Sequence, residues 1–513
     1  MQETEQQLDF LLEVLQSIAN SNGDSQVVYP LLQQNLVLLD DEIVEILKDW
    51  VSTSFAEMDR DTQRLITNDI VDFGNLIQQF PLGNKAVNME LSIACHQVAQ
   101  EVYNKVDFPI DWAMTQNNLA NAHQHRIRGD RAENLEKSIE CYQSALEIRT
   151  KADLPINWAI TQNDLATAYR DRIRGDRAEN LEKSIECYQS ALEIQTKVDL
   201  PIYWADIQNN LAAAYSYRIR GDRAENLEQS ISCYQSALEI RTKKDFPIDW
   251  AMTQNNLAVA YNYRIKGDRA ENLERSIACY QSALEIYTKA DFPIDWAMTQ
   301  NNLAVAYNYQ IKNDGAENLE RSIACYQSAL EIYKPQDIPI DCLGTARNLG
   351  NLHFDEGNWQ QAIDAYQLAI SAVEQSRTWA TSDQSKQEII EGAIEVYFNL
   401  VQSCINTQQF DRAIEYAERS KSRNLVELLA TRDLYPKGDI PPDILSQLDT
   451  LRRQVLSEER RLNHRRDSGN SNGLPSATAI DPNTPESRSI TNPNNPGINL
   501  DRERLNTCLL YTS

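Results

Sequence analysis

Basic residues are scarce in this chain: 49 Lys and Arg stand against 75 Asp and Glu, a formal charge of -26 over 513 residues. Binding a nucleic-acid backbone needs a concentrated basic surface, so the composition argues against nucleic acid as the main partner. No apolar run approaches the ~20 residues that span a bilayer, and the opening residues MQETEQQLDF are acidic where a secretory signal is basic. The reading is a cytoplasmic protein with no membrane partner. A glycine-rich phosphate loop is lacking, and no Cys or His grouping has metal-ligand spacing. Cys95 and His96 are adjacent, but neighbours on a helix point about 100° apart and cannot make a nucleophile–base pair there. No catalytic residue, metal or cofactor is expected.

What is abundant is repetition. Pro109, Pro155, Pro201, Pro247, Pro293 and Pro339 recur every 46 residues, as do Trp112, Trp158, Trp204, Trp250 and Trp296. A fixed period of this size means a stacked array. Within one copy, Trp250, Leu257, Ala258, Tyr261 and Ile265 fall on one side of a helix, and Leu273, Ile277, Tyr280, Leu284 and Tyr287 on one side of a second. Pro247 suits the first position of the first helix, Gly267 its end, and Asn272 the cap of the second. Neither helix can hide its stripe alone, so hairpins must stack into a superhelix with a shared core. Cys95, Cys141, Cys187, Cys233, Cys279 and Cys325 share one repeat position. Equivalent helices lie roughly 8–10 Å apart, too far for disulfides, so these are expected as small, half-buried fillers.

Leu257, Ala258 and Tyr261 with Ser276, Tyr280 and Ala283 resemble the signature of tetratricopeptide repeats, which usually recur every ~34 residues. Leu257 to Tyr280 is 23 residues, whereas Leu349 to Tyr366 is 17, so the connections within the 46-residue copies are extended and the later copy is an ordinary unit. The resemblance implies an all-α fold, a right-handed α-solenoid of TPR-like helical hairpins with a 46-residue period and a disordered C-terminal tail.

Along the chain, residues 1–59 read as an acidic helical cap, with helices over 2–20 and 33–59 broken by SNGDSQVVYP and by the acidic pair at Asp40. Residues 1–90 hold sixteen acids against Lys48, Arg60, Arg64 and Lys85; this is either a solvated surface or a dock for a basic partner. Residues 60–336 form the 46-residue solenoid, with SIACHQVA an early copy of the second helix. Residues 337–431 hold a standard hairpin and a last, elongated one. A Pro- and Gly-rich connector and a charged helix with Leu448, Leu451, Val455 and Leu462 along one edge take residues 432–466. The Ser-, Asn- and Pro-rich residues 467–513 lack the apolar content to order themselves. Residues 500–506 read as the restart of a helix, and the sequence stops seven residues later, so truncation is expected.

On each first helix Met252, Asn255, Val259, Asn262 and Tyr263 form a stripe apart from the core face. In tetratricopeptide repeats the matching stripe lines a concave groove that holds extended peptides. Asn117, Asn163, Asn209, Asn255 and Asn301 share one position in it, where an amide can pair with both N–H and C=O of a bound backbone. A ladder of amides binding repeat to repeat fits the same pattern. Tyr217, Tyr263 and Tyr309 share a second position, offering rigid apolar area with a polar tip. The expected partner is a protein or peptide. Arg218, Arg220, Arg264 and Lys266 close their first helices, where the helix dipole favours positive charge. The tryptophans are expected to pack between repeats rather than cage a ligand.

Three stretches resemble the N-terminal half of bacterial CHAT-domain proteins, in which tetratricopeptide repeats precede a caspase-like cysteine protease. They are LIQQFPLGNKAVNMELSIA, the repeat text with its GDRAENLE loop, and DRAIEYAERSKSRNLVELLA. This resemblance implies a scaffold or sensor that regulates a downstream protease, although no residue here matches the catalytic motifs. NNLA and ALEI also occur in kinesin light chains, which implies the alternative of a stand-alone adaptor for signalling or cargo complexes.

Overall fold

The computed structural model describes residues 2–310, 315–379, 389 and 392–431. The connector, charged helix and tail expected over residues 432–513 lie outside the described residues. Among those described, the regular elements are all helices. They fall into two compact units, one reaching Ile286 and one starting at Tyr287.

The first unit opens with α1 (Gln2–Ser21), α2 (Ser25–Gln34) and α3 (Glu42–Ser54), followed by the pair α4 (Arg60–Gln79) and α5 (Lys85–Val102). Four hairpins then follow: α6 (Pro109–His125) with α7 (Arg131–Leu146), α8 (Pro155–Asp171) with α9 (Arg177–Leu192), α10 (Pro201–Tyr217) with α11 (Arg223–Leu238), and α12 (Pro247–Tyr263) with α13 (Arg269–Leu284). The second unit holds α14 (Pro293–Gln310) with α15 (Gly315–Leu330), α16 (Pro339–Asp355) with α17 (Trp359–Trp379), and α18 (Ile394–Asn406) with α19 (Phe410–Thr431). Each unit is a solenoid of helical hairpins, each packed on the next.

The sequence dictates each hairpin locally. Proline stands at the start of the first helix, where its missing N–H has no partner to lose. Gly267 sits between the helices at φ +81°, a left-handed conformation that an L side chain resists. Asp268, and not Asn272, caps the second helix: its carboxylate accepts from the Glu271 N–H at 2.9 Å. Asn272 lies inside that helix, where its amide donates to the Lys266 carbonyl and ties down the loop. Ile265 falls beyond the helix end and is exposed instead of joining the core stripe. SNGDSQVVYP interrupts helix as expected, but only over residues 22–24, because the rest of it starts α2, capped by Asp24. Residues 394–431 make a hairpin without elongation of its first arm.

Packing runs from hairpin to hairpin. Ile231 and Tyr234 of α11 share a cluster with Leu257, Ala260 and Tyr261 of α12, and Ile139 and Tyr142 of α7 do the same with Leu165, Ala168 and Tyr169 of α8. Arg126, Arg172, Arg218 and Arg264 each clamp a glutamate of the preceding second helix, Glu90, Glu136, Glu182 and Glu228, through Nε and Nη2. Planar two-point pairing of this kind stitches hairpins together. It gives Arg218 and Arg264 a role that the helix-dipole reading did not supply. The shared cysteine position is half-buried from Cys141 to Cys325, and burial pushes these thiols up to about 11 or 12.

Candidate functional site

The asparagine row lies below the surface. Asn117, Asn209, Asn255 and Asn301 are at most 5% exposed, and Asn163 is half-buried. Three of these carbonyls face a threonine of the following hairpin: Thr161 Oγ1 is 2.8 Å from Asn117 Oδ1, Thr253 Oγ1 3.4 Å from Asn209 Oδ1, and Thr345 Oγ1 3.1 Å from Asn301 Oδ1. Two of these threonines also approach a backbone carbonyl: Thr161 and Thr253 lie 2.9 and 2.7 Å from the carbonyls of Asn157 and Asp249, so one proton is shared between two acceptors. The amide ends reach sideways to the next residue, as in Asn209 Nδ2 to Asn210 Oδ1 at 3.4 Å.

Behind two of these junctions stands a buried arginine. Arg149 donates from Nη1 to Thr161 Oγ1 at 2.9 Å, and Arg241 to Thr253 Oγ1 at 2.9 Å. Arg, Thr and Asn thus form a polar relay between the first and second hairpins and again between the third and fourth. At the junction between, Gln195 replaces the arginine and Ile207 the threonine. There Asn163 Oδ1 and Gln195 Nε2 are buried without a partner. Arg241 also pairs with Asp206 at 2.7 Å, and Asp249 lies 3.8 Å away. Burial pulls the Arg149 guanidinium down, with Asp164 opposing.

The tyrosine row is more open. Tyr217 and Tyr263 are half-buried, and Tyr309 is 48% exposed. The equivalent residues in the first two hairpins are His125, whose Nδ1 lies 2.9 Å from the Asn121 carbonyl, and Asp171, which pairs with buried Arg170 at 3.0 Å. Burial opposes the charge on Arg170, and Asp171 outweighs it to hold the guanidinium above its usual range. Sequence reasoning passed over Arg149, Arg170, Asp206 and Arg241. The signal was present as departures from an otherwise uniform repeat, such as Arg149, Gln195 and Arg241 where other copies carry Tyr103, Tyr287 and Tyr333.

Each repeat tryptophan is half-buried, with a lysine ammonium 5.4 to 5.8 Å from its ring centroid, from Lys105 over Trp112 to Lys289 over Trp296. The same lysines pair with Glu147, Glu193, Glu239, Glu285 and Glu331. His96 is fully buried, and burial pulls it down to about 3. Among the described residues no group of His, Cys, Asp and Glu could hold a metal ion, and no helix is long and apolar enough to cross a membrane.

Residues 112–149 and 158–195 match one tetratricopeptide-repeat model and residues 394–425 a second. These are tetratricopeptide repeats. The matched segments fall on α6 to α9 and on the last hairpin, α18 with α19. Residues 210–387 match the model for soluble NSF attachment protein, SNAP. No curated protein matches the chain. Among solved structures, a signal-transduction ATPase with a tetratricopeptide-repeat sensor from Pyrococcus horikoshii is similar at 16% identity and TM-score 0.45, over 76% of this chain and 55% of that one. A Rap protein complexed with competence and sporulation factor is similar at 13% identity and TM-score 0.37, over 84% and 99%. The C-terminal part of a TPR repeat-containing protein from Cytophaga hutchinsonii is similar at 10% identity and TM-score 0.35, over 57% and 93%.

Proposed function

We propose that the chain is a protein-interaction module whose first helices take an extended polypeptide. The observation that carries this reading is that Tyr217, Tyr263 and Tyr309 repeat at one position of the first helix, and Asn117, Asn163, Asn209, Asn255 and Asn301 at another, at a constant pitch. Tyr217, Tyr263 and Tyr309 supply the contact area. Asn117, Asn163, Asn209, Asn255 and Asn301 set the register from beneath them: three of their carbonyls are engaged by a threonine of the next hairpin, so this row holds the spacing of the first helices while the tyrosines meet the bound chain. Residues 1–59 close the N-terminal end of the array. The compartment is the cytoplasm of a bacterium.

In the fuller form of this reading, the array positions or restrains a caspase-like protease domain of the CHAT type. The three matching sequence stretches support it. The alternative is a stand-alone adaptor, favoured by the match of residues 210–387 to the SNAP model. Reading the gene beyond the codon for Ser513 separates the two: a domain with a His and Cys dyad supports the first, an in-frame stop the second. The groove itself is tested by replacing Tyr217, Tyr263 and Tyr309 with Ala and, separately, Asn209, Asn255 and Asn301 with Ala. Both sets should keep helicity and lose captured polypeptide; full capture by the tyrosine set would remove the groove assignment.

A further inference from the structure

The last hairpin exposes what every earlier one hides. Setting Leu400, Ala413 and Ala417 against Leu257, Ser276 and Tyr280 pairs Ile394 with Ala251, Phe398 with Asn255, Ile405 with Asn262, Phe410 with Leu273 and Ile414 with Ile277. The five residues of the fourth hairpin are at most 8% exposed; the five of the last are 42 to 67% exposed. Within the first unit, equivalent positions are covered by the succeeding hairpin. Asn117 lies under Thr161, and Ile139 and Ile231 pack against Leu165 and Leu257 of the next first helix. On α18, Ile394, Phe398 and Ile405 fall on one side by helical spacing, as do Phe410 and Ile414 on α19. Solenoids normally end on a polar outer face. This one ends on large apolar side chains placed where a further helix would sit.

We propose that residues 444–466 of the same chain dock on this face as a helix. Leu448, Leu451, Val455 and Leu462 give that segment one apolar edge, and the segment is rich in arginine. The twelve residues 432–443 can span up to roughly 40 Å, whereas packed helices lie only about 10 Å apart, so the connection is ample. The charges match as well. Residues 444–466 hold six arginines against Asp449, Glu458 and Glu459, while Glu395, Asp411, Glu415 and Glu418 are exposed on the last hairpin. A second copy would be a worse occupant, because a two-fold interface sets the same acidic patch against itself. The docking does not depend on the peptide-groove reading.

Hydrogen–deuterium exchange on the full chain tests it, using the parent, a Leu451→Asp/Val455→Asp variant and a Phe398→Asp variant. Phe398 is exposed on the hairpin, so its substitution leaves the fold of α18 and α19 intact. The parent should show protection over residues 444–466. Either variant should speed exchange about tenfold or more both there and in residues 394–414, with residues 109–284 unchanged. Exchange in the parent at the rate of unstructured chain over 444–466, or a response confined to one of the two segments, overturns the proposal. So does a Phe398→Asp variant that halves the mass by light scattering while residues 444–466 stay unprotected, which identifies a second copy as the occupant.

Discussion

Thr161 reaches back 44 residues to set its hydroxyl 2.8 Å from Asn117 Oδ1, and the residue that should repeat this contact one hairpin later is Ile207. Ile207 is buried and offers no proton, so Asn163 Oδ1 has no partner. The two junctions therefore differ in energy for a reason that single residues can expose.

Asn163→Leu should be neutral or stabilising, because it removes an unpaired buried carbonyl. Asn117→Leu should destabilise by about 1–3 kcal/mol, since it strips an acceptor from Thr161 and leaves Arg149 behind it. Urea unfolding midpoints of the two variants check the contrast. Equal losses would mean that the relay contributes nothing beyond side-chain volume.

Arg241 is 6% exposed and lies between Asp206 and Asp249. Arg241→Met should cost about 3 kcal/mol, because buried Asp249 and half-buried Asp206 would lose the cation between them. Adding Asp206→Asn to that variant should recover part of the loss. If the double variant is less stable than Arg241→Met alone, the carboxylates are not the source of the penalty.

Burial pushes the Asp295 carboxyl up to about 6, against 3.8 for the free group. Between these values the folded chain holds a proton that the unfolded chain has lost, so stability falls as pH rises through about 6. Asp295→Asn should therefore gain about 1–2 kcal/mol at pH 8, a figure reduced because the residue is partly exposed, and the gain should vanish below the free-group value. Thermal midpoints of parent and variant at the two ends of this range decide it; a gap independent of pH would assign the effect to something other than ionisation.

Tyr280 is 1% exposed at the centre of its hairpin. Tyr280→Ala should cost on the order of 3 kcal/mol by leaving a cavity between helices. A melting curve that superimposes on the parent's would contradict the packing described above.

Much of the architecture was legible in the sequence. The 46-residue period, Pro247 at a helix start and the stripe of Leu273, Ile277 and Tyr280 all specify local structure through short-range sterics and apolar spacing. Other features were hidden because two local solutions compete. Asp268 and Asn272 can each cap a helix, and the choice fell to Asp268 because Gly267 turns the chain just before it. Pro30 read as a break, yet it sits within α2. For the candidate site, sequence marked the rows but not their depth: Asn255 and Tyr263 share one stripe, and one is buried while the other is half-open.

By itself, then, the sequence determined that this chain folds as stacked helical hairpins, since period and helical spacing are properties of neighbours along the chain. Which side chains stay available was decided only by tertiary structure. A position such as Asn117 or Ile231 is covered by residues more than two dozen places away, and the same position in the last hairpin, Phe398 or Ile414, is left open. Burial belongs to the contact between hairpins, and no single hairpin carries it alone.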